Sequence, residues 1–298
     1  MTEVRSQLTL GLPVIAAALA ATMIWGLTPA VTKLAVGEVD PVSAGFLRTV
    51  IAGPFCLAVA LFAKLQLPPS ASGWGQLIGS ALGCYIAFPV LFTFGQADTT
   101  TSHAALIIAT MPIFTGLFAA IVERRMPSRG WWMGSGMAFC GVLVLVGSRF
   151  GYAEPGVTLR GDLLCLASAI CGSAGYIAGS RLTSVIGTWG TTFWGLAFSG
   201  VLSTVVILVV PTPTDWSTVS SFGYATIAYL AIFGSILGYV AWYWALARGG
   251  AMRIGPIQFL LPVIALTVAV LGLGEVLTLP LIISAVAIVG GIAVAQRS

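Results

Sequence analysis

Gly79-Ser-Ala-Leu-Gly83 recurs as Gly234-Ser-Ile-Leu-Gly238, and Pro112 recurs as Pro262, with a carboxylate, Glu123 and then Glu275, after each proline. The charges that follow differ. Arg124, Arg125 and Arg129 trail the first copy, while the second has no base until Arg297. Duplicated membrane segments with opposite flanking charge predict an inverted repeat, an architecture that places a binding site between its halves. The expected units are 1–150 and 151–298.

The membrane reading rests on composition. Of 298 residues, 58% are hydrophobic and only 7% charged, and the mean hydropathy is +1.02. A soluble domain carries about a quarter charged residues, so this chain cannot clothe a water-facing surface. Long apolar runs without dyad alternation select helices over a barrel. The thirteen bases are scattered singly between apolar spans, which speaks for topology and against nucleic acid. Cys56, Cys84, Cys140, Cys165 and Cys171 all fall inside apolar segments without metal-type spacing, so they read as small packing residues. Arg5, the Ala-rich run and Ala18-Leu-Ala20 mimic a signal peptide. The run continues into Trp25-Gly26-Leu27-Thr28-Pro29, so it is expected to stay as the first helix.

Interruptions by Pro, Gly and charge divide the chain into ten spans, near 10–34, 42–64, 74–96, 102–122, 130–148, 160–181, 188–210, 222–246, 252–273 and 278–296. The fold class expected is an all-α integral membrane protein, ten helices in two inverted sets of five around a central cavity. With the amino terminus in the cytoplasm, the inner ends hold nine bases: Arg5, Lys64, Arg124, Arg125, Arg129, Arg181, Arg248, Arg253 and Arg297. Lys33, Arg48, Arg149 and Arg160 fall toward the outside. That bias sets both termini on the cytoplasmic side. The acids split the other way, with Glu38, Asp40, Asp98, Glu154, Asp162, Asp215 and Glu275 outside and Glu3 and Glu123 inside. An odd number of spans per half inverts the second.

The chain resembles the EamA type of the drug/metabolite transporter superfamily along nearly its whole length. Trp25-Gly26 followed by Lys33, then Phe46-Leu47-Arg48, look like that family's first two helices. Phe94, Ala104, Pro112, Glu123 and Gly141 resemble the rest of its first repeat; Gly161-Asp162-Leu163-Leu164, Trp244-Ala245-Leu246, Pro262, Glu275 and Gly291 resemble its second. The resemblance implies a central cavity, export of small metabolites such as amino acids, and a bacterial inner membrane. A subgroup exporting aromatic and other neutral amino acids is the nearest analogue. Cys171-Gly-Ser-Ala-Gly-Tyr176 departs from it, lacking a tryptophan often found in the sixth helix.

Polar and irregular positions inside the spans are the candidate site. Pro112 and Pro262 free a backbone carbonyl each, for solute contact or for bending. Gln258, one turn before Pro262, is a substrate contact or an interhelical bond, and Thr110 a substrate contact or a bond to its own helix. Trp25, Tyr85, Phe88, Tyr176, Tyr239, Trp242 and Tyr243 are aromatics within spans; Tyr239 and Tyr243 share a face. They line a cavity for planar or amino-acid side chains, or simply pack. His103 and Arg253, 150 residues apart, are paired gate candidates at opposite ends. His103 is a proton-sensitive group or an interfacial polar residue after Thr99-Thr-Thr-Ser102. Lys33 and Arg48 look like structural partners of Glu38, Asp40 or helix carbonyls, and Glu123 and Glu275 like helix-terminal anchors. Trp74, Trp131, Trp132, Trp189 and Trp216 suit the interfacial belt. The two GxxxG pairs point to internal close packing before dimerisation.

Absences narrow the chemistry. No carboxylate falls at the centre of a span, which disfavours a carboxylate proton relay, and no cluster of mid-membrane bases suits a sugar phosphate. No GxSxG or HExxH occurs and there is one histidine, so the chain is not expected to be an enzyme, and no metal or cofactor is expected. The favoured function is a secondary transporter exporting neutral or zwitterionic metabolites, amino acids including aromatic ones, as a monomer or homodimer in the bilayer without nucleic acid. The alternatives are a lipid scramblase or flippase and an exporter of drugs or other organic solutes.

Overall fold

The computed structural model describes residues 11–148 and 156–297. Glu3, Arg5, Arg149 and Glu154, used for the charge bias, lie outside the described residues, as does the expected boundary at 150. The described chain is helical without strands: α1 Leu12–Glu38, α2 Pro41–Phe62, α3 Ala71–Asp98, α4 Thr101–Glu123, α5 Arg129–Ser148, α6 Leu159–Val209, α7 Ser221–Gly249, α8 Ala251–Leu273 and α9 Leu279–Arg297. Eight helices among the described residues are long and apolar enough to cross a membrane, and Ile257–Leu273 is a shorter apolar one. Large apolar side chains such as Phe62, Leu208, Leu271 and Val286 face outward, as lipid requires.

Three of these helices are broken or loosened along their length. The α6 helix runs 51 residues, more than twice the roughly 20 that span a bilayer. Its backbone leaves the helical region at Gly187 (φ 76°, ψ 165°), dividing it into arms 159–186 and 188–209. The sequence predicts a break after 181. Helical bonding persists instead to the glycine, with the hydroxyls of Ser180, Thr183 and Ser184 each folded back onto a carbonyl three residues earlier. The α4 helix loosens at Ala109 and Thr110, just before Pro112, and α8 passes through a 3₁₀ turn at Gly255–Phe259, just before Pro262. Proline removes a ladder donor, so each helix is weakest there.

The helix starts repeat. Ala71 and Ser221, Thr101 and Ala251, and Arg129 and Leu279 begin successive helices, each pair 150 residues apart. Ser70 caps the Gly73 amide of α3 at 3.1 Å and Ser220 caps the Gly223 amide of α7 at 3.0 Å. Arg124 (φ 53°) and Gly274 (φ 71°) end their helices in the left-handed conformation. At this spacing Gly79–Gly83 corresponds to 229–233, so the echo at Gly234–Gly238 lies five residues late. The two copies of the motif therefore meet different neighbours: Gly83 fits against the Gly175 backbone, whereas Gly238 fits against Trp25.

Helices from the two parts of the chain pack in opposite directions. Along α5 and α9, Gly134 faces Ala295 and Gly141 faces Ser284 and Ile288. Along α3 and the first arm of α6, Gly83 faces Gly175 and Gly95 faces Cys165. Gly53 of α2 meets Gly200 of the second arm, and Thr49 Oγ1 donates to Ser203 Oγ at 2.9 Å. On α1 and α7, Tyr229 OH donates to Ile24 O at 2.9 Å and Trp25 Nε1 to Gly234 O at 3.1 Å. Glycine at the crossings lets backbones touch, which replaces the hydrophobic drive that lipid removes. The α1–α2 corner is pinned by Asp40, which caps α2 and accepts from Thr214 Oγ1 at 2.6 Å. Burial pushes the Asp40 carboxyl up, but bonds from Ser43, Thr214 and backbone amides outweigh it and hold it below the usual range.

Candidate functional site

A cavity of about 400 Å³ lies between α3, both arms of α6 and α7. Its lining includes Ser80, Cys84, Tyr85, Tyr176, Tyr239 and Tyr243, together with Thr188, Trp189, Leu246 and Ala247. No residue in the lining carries a formal charge. Thr188 and Trp189 beside the Gly187 break, and Leu246 and Ala247 near the end of α7, put this part of the lining at the helix ends that carry exposed Lys64 and Arg181, where Trp194 Nε1 donates to Leu65 O at 3.2 Å.

Two backbone irregularities aim side chains at this space. Residues Ala81–Ala87 of α3 and Leu230–Leu237 of α7 are π-helical, so each helix gains a wider turn in its middle. The first widened turn presents Cys84 and Tyr85; the second precedes Tyr239 by less than a turn. The wider ladder also frees carbonyls for side-chain donors. Leu230 O accepts from Ser235 Oγ at 3.0 Å and Gly234 O accepts from Trp25 Nε1. The blind end is closed by rings: Tyr239 lies 5.1 Å from Trp25, 5.6 Å from Tyr85 and 6.0 Å from Tyr243 between centroids.

The opposite face is shut by a polar cluster. His103 Nδ1 lies 3.2 Å from both carboxylate oxygens of Asp162, and Thr99 Oγ1 donates to the same carboxylate at 2.7 Å. Both members of the His103–Asp162 pair are about 1% exposed. Lys33 Nζ donates to Gln96 O at 2.8 Å and Thr99 O at 2.7 Å, where helix carbonyls end without ladder partners. Glu275 accepts from the amides of Thr101 at 2.6 Å and Ser102 at 2.9 Å, placing a carboxylate on the amino end of α4. Arg160 and Asp98 add an exposed ion pair at 3.3 Å. These bonds tie α1, α3, α4, α6 and the end of α8 together on one face.

The structure brings Tyr85, Tyr176, Tyr239 and Tyr243 into the cavity lining and leaves the other sequence candidates out of it. Trp25 backs the lining through Tyr239, Trp242 packs with α1, and Phe88 stacks on Phe92 at 6.1 Å. Thr110 bonds the carbonyl of Ile107 in its own helix, and Gln258 is half-buried in the 3₁₀ turn. His103, at the start of α4, is buried between Asp162 and Thr99; Arg253 is exposed near the start of α8. Lys33 meets helix carbonyls rather than Glu38 or Asp40, and Arg48 meets Ser235 rather than either. Ser80, Cys84, Thr188, Thr191 and the π-helical turns escaped the sequence reading. The glycine and serine content of Gly79–Gly83 is the only local sign of them.

Two stretches of the chain, 12–147 and 159–296, match the EamA-like transporter family. The chain is 30% identical over 269 residues to an uncharacterised transporter, YdeK, of Bacillus subtilis (strain 168), covering 89% of this chain and 91% of that one. It is 26% identical over 286 residues to a probable amino-acid metabolite efflux pump of Salmonella typhimurium, covering 92% of each. It is 26% identical over 266 residues to the uncharacterised inner membrane transporter YedA of Escherichia coli (strain K12), covering 88% of this chain and 83% of that one. A solved crystal structure shares the fold with a TM-score of 0.64 at 22% identity, covering 95% of this chain and 98% of that one.

Proposed function

The chain belongs to the EamA-like transporter family of the drug/metabolite transporter superfamily, and on that premise we propose an exporter of small neutral or zwitterionic metabolites, aromatic amino acids among them, working by alternating access. That it is a multi-pass membrane transporter follows from the family and the helices. Splitting α6 at Gly187 and counting α8 as a span gives ten spans in two inverted halves. The 150-residue recurrence of helix starts and the opposed directions of the paired helices support that count. Both termini on the cytoplasmic side agree with the bias of bases, and an inner bacterial membrane with the Escherichia coli relative being an inner membrane transporter.

One observation carries the reading: an uncharged, tyrosine-lined cavity of about 400 Å³ lies between helices of both parts of the chain, with a buried polar cluster toward the other ends of those helices. That volume sits at the lower end of the roughly 300–1,000 Å³ typical of small-molecule sites. Tyrosine rings suit an apolar or planar side chain and their hydroxyls a polar group. Pro112 and Pro262 act as hinges in α4 and α8, and His103 and Arg253 stand at opposite gates. The relative named as a probable amino-acid metabolite efflux pump favours amino acids as cargo.

Counterflow in proteoliposomes tests this. Vesicles loaded with unlabelled phenylalanine are expected to accumulate labelled phenylalanine transiently and saturably, and external unlabelled solute suppresses the signal. Linear, unsaturable flux would mean a pore. Phospholipid flipping without solute flux would mean a scramblase.

A further inference from the structure

We infer that Arg48 is the recognition group for a carboxylate on the transported solute, so that the cargo is a zwitterion bearing one carboxylate rather than any neutral molecule of the right size. This rests on the carrier reading above and narrows it.

Arg48 sits two turns into α2, in the half nearer its start, and is 7% exposed. Its Nε donates to Ser235 Oγ at 3.1 Å, and Ser235 in turn donates to Leu230 O. Among the described residues no carboxylate lies within ion-pair distance of it. Asp40 at the head of α2 is occupied by Ser43 and Thr214, and Glu38 by the Ser220 amide. A guanidinium has five N–H donors, and one hydroxyl acceptor serves one of them. A buried cation in this state is costly in a protein interior and more so inside a bilayer, which is why intramembrane charges mark ligand pathways. Lys33, the other cation on this side of α1, shows the contrast, since two carbonyls satisfy it.

The position fits a ligand. Ser235 precedes Tyr239 by four residues and shares its helix face, so Arg48 lies one turn beyond the ring that closes the cavity. The Nη2 nitrogen packs beside Gly234, close to Thr28, a contact that a bulky side chain at 234 would crowd. For a solute in the cavity to meet Arg48, Tyr239 must turn away from Trp25 and Tyr85. A guanidinium meets a carboxylate with two parallel N–H bonds. One cation balances one carboxylate; the lining supplies no second base for a phosphate dianion, and no acid for an ammonium. An amine on the solute is left to the tyrosine faces.

Competition against labelled phenylalanine counterflow decides the matter. Unlabelled phenylalanine and 3-phenylpropionate are expected to compete, and phenylalaninamide, which lacks the carboxylate, to be at least about tenfold weaker. R48K should keep that order with a raised apparent KM, and R48Q should erase it. If Arg48 is only a strut to Ser235, S235A reproduces the R48Q loss of discrimination; retained discrimination in S235A favours the carboxylate role. The amide competing as well as the acid in the unsubstituted protein overturns this inference while leaving the carrier intact, and needs no variant to fold. Absence of saturable phenylalanine flux overturns the carrier reading itself and this inference with it.

Discussion

Valine at Gly83 is expected to abolish transport and to lower the unfolding temperature of the detergent-solubilised protein, whereas alanine at Gly75 on the same helix does neither. A Cβ at Gly83 would lie 2.6 Å from Gly175 Cα, 2.7 Å from Cys171 O and 2.8 Å from Gly175 N. All three atoms are backbone, so no rotamer change relieves the contact and α3 must move off α6. Overpacking typically costs about 1–3 kcal/mol. The upper end applies here because Cys84 and Tyr85 of the cavity wall move with the same turn. At Gly75 nothing lies within 4 Å of an added Cβ, so the alanine control separates crowding from loss of glycine. Normal stability and flux in G83V would mean that these helices do not touch.

Alanine at Asp162 is expected to destabilise the closed face more than any surface change. The carboxylate holds Thr99 Oγ1 at 2.7 Å and His103 Nδ1 at 3.2 Å, and it is essentially unexposed. Its removal leaves polar groups of α3 and α4 without their acceptor in a site that water does not reach. Charged hydrogen bonds and broken buried pairs place the loss at roughly 3 kcal/mol or more. Thermal unfolding of D162A, with exposed D215A as the control, measures it. A transition equal to that of D215A would show that the pair does not hold the face shut.

The helices were legible because lipid imposes long apolar runs, and the repeat because prolines and turn glycines recur. Pro112 and Pro262 lie just after the places where regular α-helical bonding in α4 and α8 is interrupted. The five-residue echo misled by its own length, since GxxxG is a packing solution that any two close helices reuse. The pair His103–Asp162 was out of reach: the partners are 59 residues apart, and each taken alone resembles an end-of-span polar residue. Glu275 was legible as a helix-terminal anchor, but not that the helix it caps is α4, 174 residues earlier. Arg48 read as a structural base beside Glu38, Asp40 or helix carbonyls, and its partner in the folded chain is Ser235. Only the folded chain shows that Asp40 and Glu38 are already occupied. The π-helical turns have no residue code of their own, because any apolar run can widen by one residue when neighbouring helices accept the bulge.

Alternating access is tested most directly at Cys84, whose Sγ lines the cavity and lies 3.2 Å from Gly172 O. With Cys56, Cys140, Cys165 and Cys171 replaced by alanine or serine, a membrane-impermeant thiosulfonate is applied to either face of oriented vesicles. Cys84 is predicted to react from the face of Lys64 and Arg181 and not from the other, and phenylalanine is predicted to slow the reaction. Equal labelling from both faces, with phenylalanine without effect, would describe an open pore and contradict a carrier.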